Sequence, residues 1–281
     1  MNIEQKLNEI VAALDELKIP HLVMGGHAVR YYGFHRETTD HDLYIPVEVG
    51  PQLTDLLRHT SLFLGSLPAE APTWRGDDFR RFVLGALPDG KEELLEFWIR
   101  NHLLDDFANL YQRREEGLYG ARTVSFLSLP DLIRSKETER EDDWRDISIL
   151  EEILDQRNFA AVKRGGEVVA ALSRMRSIRG LELATSAGLL AQQEAAEAAL
   201  RAAIHPMTQA FLLPFAPSME RELPASEMLP PPFRKHLQIA EPSSPRHLTL
   251  VEAVRLRYKR AMQELDRSEK DKRRKKLVED R

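Results

Sequence analysis

Two aspartates stand two residues apart in Asp40-His-Asp-Leu-Tyr-Ile45, a stretch that alternates and stops at Pro46. On a strand, that spacing turns both carboxylates to one face. Like charges side by side repel, and burial worsens the repulsion, so the pair needs a partner. A divalent cation supplies one. Magnesium takes carboxylate oxygens together with phosphate oxygens, typically at triphosphate sites, and manganese suits the same hard ligands. The plain alternative for a lone Asp-x-Asp is a solvated pair on an edge strand.

The segment before the pair strengthens the cation reading. Gly25-Gly26 separates a short apolar run, His21-Leu-Val-Met24, from a stretch with helical spacing. Glycines at such a turn let backbone N–H groups approach a phosphate, and a following helix adds a favourable dipole. The plain alternative is a tight strand-to-helix connection. A two-metal site also needs a third carboxylate from a neighbouring strand. Glu96, flanked by apolar residues in Glu92-Glu-Leu-Leu-Glu-Phe-Trp-Ile99, is the first choice, because a mid-strand charge is costly without a partner. Glu93 is the reserve, and Glu92 is expected at the surface. Arg36 is a candidate phosphate brace or a salt-bridge partner. His27 follows the glycines and is read as structural rather than as a phosphate contact. His35 and His41 make no zinc pattern with the aspartates. Trp74, Trp98 and Trp144 are read as core or rim residues.

These residues need elements to hold them. Ile3, Leu7, Ile10, Val11, Leu14 and Leu17 fall at helical spacing, so the chain opens on an amphipathic helix. A strand at 21–24, a helix at about 27–33, a strand at 40–45 and a helix at 48–60 follow. Strands at about 78–86 and 92–99 flank the turn Pro88-Asp-Gly90. A strand at 121–127 leads to a helix with Ser128 as N-cap and Pro130 in its first turn. A further helix at 143–155 turns Trp144, Ile147, Leu150, Ile153 and Leu154 inward. The fold class is α+β: a small mixed β-sheet flanked by helices over residues 1–157, then an α-helical C-terminal region. Residues 158–205 read as helical, 206–247 as a proline-rich linker or arm with nine of the 16 prolines, and 248–281 as a charged helix.

Composition narrows the function. Cysteine is absent, which excludes disulfides, thiolate catalysis and cysteine-bound zinc, and suits a reducing cytoplasm. No apolar run is long enough to cross a bilayer, and MNIEQKLNEIV lacks a signal peptide's pattern, so a cytoplasmic protein without membrane contact is expected. The net charge of −5 is uneven: from Arg246 onward 13 Lys/Arg stand against 7 Asp/Glu. A basic tail on an acidic body suits nucleic-acid contact, while the interleaved acids also suit a solvated helix.

The stretch Val23-Met-Gly-Gly-His-Ala-Val29 with Arg36-Glu-Thr-Thr-Asp-His-Asp-Leu43 resembles the Gly-Gly … Arg-x-Thr-x-Asp-x-Asp signature of the DNA polymerase β-like nucleotidyltransferase superfamily. Within it, the chain is most similar to the AbiEii-type toxin branch. Leu127-Ser-Leu-Pro-Asp-Leu-Ile-Arg-Ser-Lys136 and Asp142-Asp-Trp-Arg-Asp-Ile147 resemble that branch's later motifs. The resemblance covers roughly residues 20–155. It implies a nucleotidyltransferase fold, magnesium on Asp40 and Asp42, a triphosphate contact from Lys136, and a pocket completed by Asp143 and Asp146. Lys136 also has its own physical case, since a lysine there would neutralise a departing pyrophosphate. Two positions depart from the pattern: Asp142 where the branch often has a basic residue, and glutamate at 96 where the third acid is usually aspartate.

The expected activity is therefore transfer of a nucleoside monophosphate from a nucleoside triphosphate, ATP among them, to an acceptor hydroxyl, with a carboxylate such as Glu96 taking the proton. The toxin likeness implies an RNA acceptor, such as the 3′ end of tRNA, and a cognate antitoxin as partner. Lys272-Arg-Arg-Lys-Lys276 is compatible with backbone contacts. Two other readings stand beside it: a small-molecule transferase of the antibiotic-modifying kind, and a catalytically silent module with this fold that binds a partner protein.

Overall fold

The computed structural model describes residues 3–63, 69–71, 76–87, 90–162, 165–216, 218–219 and 244–279. By contacts the chain divides into two units, Met1–Glu137 with Asp266–Arg281, and Thr138–Leu265. No helix among the described residues is long and apolar enough to cross a membrane.

The first unit opens with α1 (Ile3–Glu16), whose Leu7, Ile10, Val11 and Leu14 are buried at the expected spacing. Lys18, in the left-handed region at φ 55°, and Pro20 end it. Then come β1 (Leu22–Val23), α2 (Gly25–Tyr31) and β2 (Asp40–Tyr44). The helix expected at 48–60 is shorter: a 3-10 turn at Gly50–Gln52 leads into α3 (Leu53–Leu57). After β3 (Ala69–Glu70) come β4 (Phe79–Ala86) and β5 (Glu92–Trp98), both where the alternation puts them. Pro88 and Asp89 of the expected hairpin turn lie outside the described residues.

Next are α4 (Phe107–Gln112), β6 (Glu115–Tyr119), β7 (Arg122–Phe126) and α5 (Leu129–Ser135). Ser128 caps α5 as expected, its hydroxyl accepting from Asp131 N at 3.4 Å. The seven strands form one mixed sheet in the order β3-β4-β5-β2-β1-β7-β6. β2 runs parallel to β5 and antiparallel to β1, so the aspartate strand is central and not an edge. Leu22, Val23, Leu43, Ile45, Leu95 and Phe97 are fully buried around it. Each such side chain contributes roughly 1.5–3 kcal/mol by leaving water.

The second unit is helical: α6 (Glu141–Ala161), α7 (Gly165–Leu172), α8 (Ile178–Ser186), α9 (Gln193–Ala202) and α10 (Pro206–Leu212). The long helix α11 (Pro245–Glu279) gives its first part to this unit and its residues from Asp266 onward to the first. Leu172, Met175, Leu181, Leu200, Phe211 and Leu250 are among its buried core. α6, which the sequence reading joined to residues 1–157, packs against α7 and α8. Its Asp155 accepts from Ser177 N at 2.8 Å, Ser177 Oγ at 2.6 Å and Arg176 N at 3.0 Å, which fixes the start of α8.

The proline-rich stretch needs correction at its start. Residues 206–215 are helical and not an arm, because Pro206 occupies the first turn of α10 and Pro214 that of a 3-10 turn. Prolines are tolerated there, where the N–H has no helical partner to lose. The rest of that stretch up to 243, with Pro230-Pro-Pro232, lies outside the described residues apart from positions 216, 218 and 219.

Candidate functional site

Alternation along β2 sends Asp40 and Asp42 to one face and His41 to the other. Asp42 is directly paired with Glu96 on β5, and Glu96 in turn with Arg81 on β4. Three acids and one base therefore share a face. Glu96 is 7% exposed, and its Oε1 accepts from Arg81 Nε at 2.7 Å. Asp40 Oδ1 accepts from Thr39 Oγ1 at 3.1 Å. Burial, then the charge of Asp42, raises the proton affinity of Asp40. The same two causes, with a hydrogen bond to Asp42, push Glu96 up to about 8, and Arg81 offsets only part of this. The face thus holds more negative charge than its own residues neutralise.

The glycine turn lies against it. Gly25 begins α2 at φ +59°, and a Cβ there would sit 1.8 Å from Asp42 Oδ2. At Gly26 a Cβ would sit 2.2 Å from Thr38 Oγ1. Met24 N donates to Asp42 O at 2.9 Å and ties the two backbones together. By their place in the sequence the glycines are expected to admit a phosphate. In the structure their bare Cα atoms first admit Asp42 and Thr38, and α2 is only seven residues long, beginning at Gly25 instead of 27. Its N-cap, Met24, makes no side-chain cap hydrogen bond.

On the opposite face His27 and His41 are fully buried. His27 neither caps α2 nor faces the acids: its ring nitrogens lie 3.0 Å from Tyr119 Oη and 3.0 Å from His41 Nδ1. His41 Nε2 lies 3.0 Å from Glu93 Oε1, so Glu93, the reserve third acid, serves the other face. Glu92 is exposed, as expected. Arg36 precedes β2, and its carbonyl accepts from Arg30 Nη1 at 2.9 Å. His35 is exposed. Trp98 packs edge-on to Phe79, and Trp144 is buried with Nε1 donating to Thr138 O at 2.7 Å. Trp74 lies outside the described residues.

The donors fit magnesium in kind: hard carboxylate oxygens gathered on one face, with repulsion that a cation would relieve. Among the described residues no group of three or more His, Cys, Asp and Glu is arranged to hold a metal ion. Asp40 and Asp42 would be the protein's main share, with Glu96 beside them engaged by Arg81. Such a two-carboxylate share suits magnesium, which keeps several waters and draws other oxygens from substrate phosphates.

No protein-family model matches the chain, and no curated protein matches it either. Among solved structures it is similar to an antigenic nucleotidyltransferase-like protein from Paracoccidioides brasiliensis, at 20% identity and a TM-score of 0.39, over 70% of this chain and 91% of the other. A likeness that distant identifies neither activity nor substrate.

The remaining candidates divide between the units. Lys136, 7% exposed, is the C-cap of α5, which packs against α2 in the first unit. Asp143 and Asp146 are buried near the start of α6 in the second. Asp143 Oδ2 accepts from Thr138 Oγ1 at 2.5 Å, a local tie before the helix. Arg81, Thr38 and Thr39 are site residues that local pattern does not single out: Thr38 is the threonine of the quoted signature and Thr39 its variable neighbour, and Arg81 has only one signal, a basic residue among the apolar residues of its strand.

Proposed function

We propose that the chain is a magnesium-dependent nucleotidyltransferase, moving a nucleoside monophosphate from a nucleoside triphosphate to an acceptor hydroxyl. Its kind would be the AbiEii-like toxin, with RNA as acceptor, tRNA among the candidates, and an antitoxin as partner. One observation carries the reading: the Asp42 carboxylate lies against the Gly25 turn, with Asp40 and Glu96 on the same face. Magnesium bound there would screen the triphosphate's charge and orient its α-phosphate. Asp40 and Asp42 would hold the cation. Arg81, 39% exposed at its side chain, would offer positive charge to the phosphates from the same face. Glu96, with a proton affinity near neutrality, has the character of a base that takes the acceptor's proton. Lys136 is carried over from the motif as a triphosphate contact.

The test is incubation of the purified chain with each labelled triphosphate, magnesium and total RNA. Label on RNA, lost in the Asp40→Ala/Asp42→Ala variant, is the expected result. Full turnover in that variant would end the reading.

The Arg81–Glu96 pairing, which already engages the third acid, favours a second reading, a silent module of the same fold. A thermal-shift series separates the two. An active site gains stability from a nucleoside triphosphate with magnesium, about 2.7 kcal/mol at a hundred times Kd, whereas a silent one gains none from any.

A further inference from the structure

The face of β2 turned away from the acids carries polar groups that the proposed chemistry does not use. Tyr119, His27, His41 and Glu93 form a row of three contacts, each 3.0 Å long, drawn from β6, α2, β2 and β5. The two imidazoles are fully buried and stacked, with centroids 5.0 Å apart and planes 17° from parallel. Among the four, Glu93 is the wettest, its side chain 21% exposed.

The row has one consistent polarity. A carboxylate at Glu93 only accepts, so His41 must give it the Nε2 proton. His41 Nδ1 is then a lone pair and takes the Nε2 proton of His27. His27 Nδ1 is a lone pair in turn and takes the Tyr119 hydroxyl proton. Beyond the far end Arg30, which only donates, reaches Glu4 Oε1 at 3.1 Å and Arg36 O at 2.9 Å. Every imidazole nitrogen in the row is used, and both rings are neutral in one tautomer.

His27 lies two residues past Gly25, and His41 lies between Asp40 and Asp42. A bond between their rings therefore sets the spacing of the same two backbones whose other side brings Asp42 against Gly25. We propose that His27 and His41 are positioning residues: their one-way hydrogen-bond row holds the first turn of α2 against β2 so that the Asp42 carboxylate stays seated on the glycine turn. The role rests on the nucleotidyl-transfer reading of the acid face, but the geometry it controls is measurable without any ligand.

The experiment records amide spectra of the full chain and of His41→Leu and His41→Gln, and titrates each with manganese plus a non-hydrolysable ATP analogue. The leucine variant should shift the Gly25 and Gly26 amide signals while leaving Gly180 and Gly188 of the second unit in place. It should also weaken manganese–nucleotide affinity by tenfold or more. Glutamine, with an amide N–H₂ to donate and a carbonyl oxygen to accept, should return both readouts most of the way, which a loss of packing alone would not allow. Nitrogen shifts of both rings should report the Nε2–H tautomer. Unmoved Gly25 and Gly26 signals in the leucine variant, or an Nδ1–H tautomer at either ring, would overturn the proposal. Wild-type chain that binds no manganese–nucleotide would instead overturn the transfer reading and leave the amide test to judge the row. If His41→Leu does not fold, Tyr119→Phe, which removes one hydroxyl, decides by the same signals.

Discussion

On one face of β2, burial and then the charge of Asp42 raise the proton affinity of Asp40 and Glu96, and Arg81 offsets only part of this. On the other face, Glu93, His41, His27 and Tyr119 give every ring nitrogen a partner. The two sets lie on opposite sides of one strand. Buried polar groups that serve only the fold are normally satisfied from within the chain. A set left with excess like charge stands where a ligand belongs. On the proposed reading, the histidine face is architecture and the acid face is where the chemistry would take place.

Four variants break or sharpen that contrast, from the largest expected effect downward. Asp40→Ala/Asp42→Ala should reduce labelled transfer by about 10²–10³-fold or more, while the melting temperature of the metal-free chain holds or rises because repulsion is removed. A fall in stability with activity intact would reverse the assignment of the two faces. His41→Leu should do the opposite to the fold. It leaves a buried donor on His27 unanswered, at about 1–3 kcal/mol, to be read from urea unfolding, while Glu93, 21% exposed, turns to water.

Glu96→Gln probes the strain itself. The folded carboxyl binds its proton more tightly than the unfolded one, so its stabilising share is complete below about pH 4.5 and is lost as pH rises through about 8. Metal-free wild type should lose stability across that window, and the glutamine variant should lose less. Magnesium should restore wild type alone. An equal slope in both proteins would mean that Glu96 is not strained.

Asp155 supplies the calibration, since it is a buried acid with three donors and no second acid among the causes of its shift. Burial takes it up to about 6. Its share is complete below about pH 3.8 and fades as pH rises through about 6, on the order of 3 kcal/mol in all. Asp155→Asn should flatten unfolding curves between those limits and leave the higher window untouched.

Much of the acid face was legible beforehand. Alternation in 40–45 and 92–99 fixed which side chains share a face, and the apolar neighbours of Glu96 singled it out. Ser128 announced α5 by its side chain and by Pro130. The histidine face was not legible, because its row joins residues as far apart as 27 and 119, and no local pattern encodes a contact at that range. Nor was β6, whose Glu115-Glu-Gly-Leu-Tyr119 has few strand-favouring residues and is held by pairing with β7. Its one signal was Gly120 at φ 62°, which opens the two-residue turn between them. Pro206 and Pro214 misled for the opposite reason: a count of prolines says nothing about whether each occupies a first helical turn.

The first unit is discontinuous in sequence. Asp266 Oδ1 lies 2.9 Å from His102 Nε2, and Arg273 donates to Asp78 at 3.1 Å. A ribosome therefore delivers the sheet and its acids long before the segment that covers His102 and Asp78, with the whole helical unit emerging in between. Those two contacts must wait through that interval of synthesis, until the stretch of α11 from Asp266 onward is made.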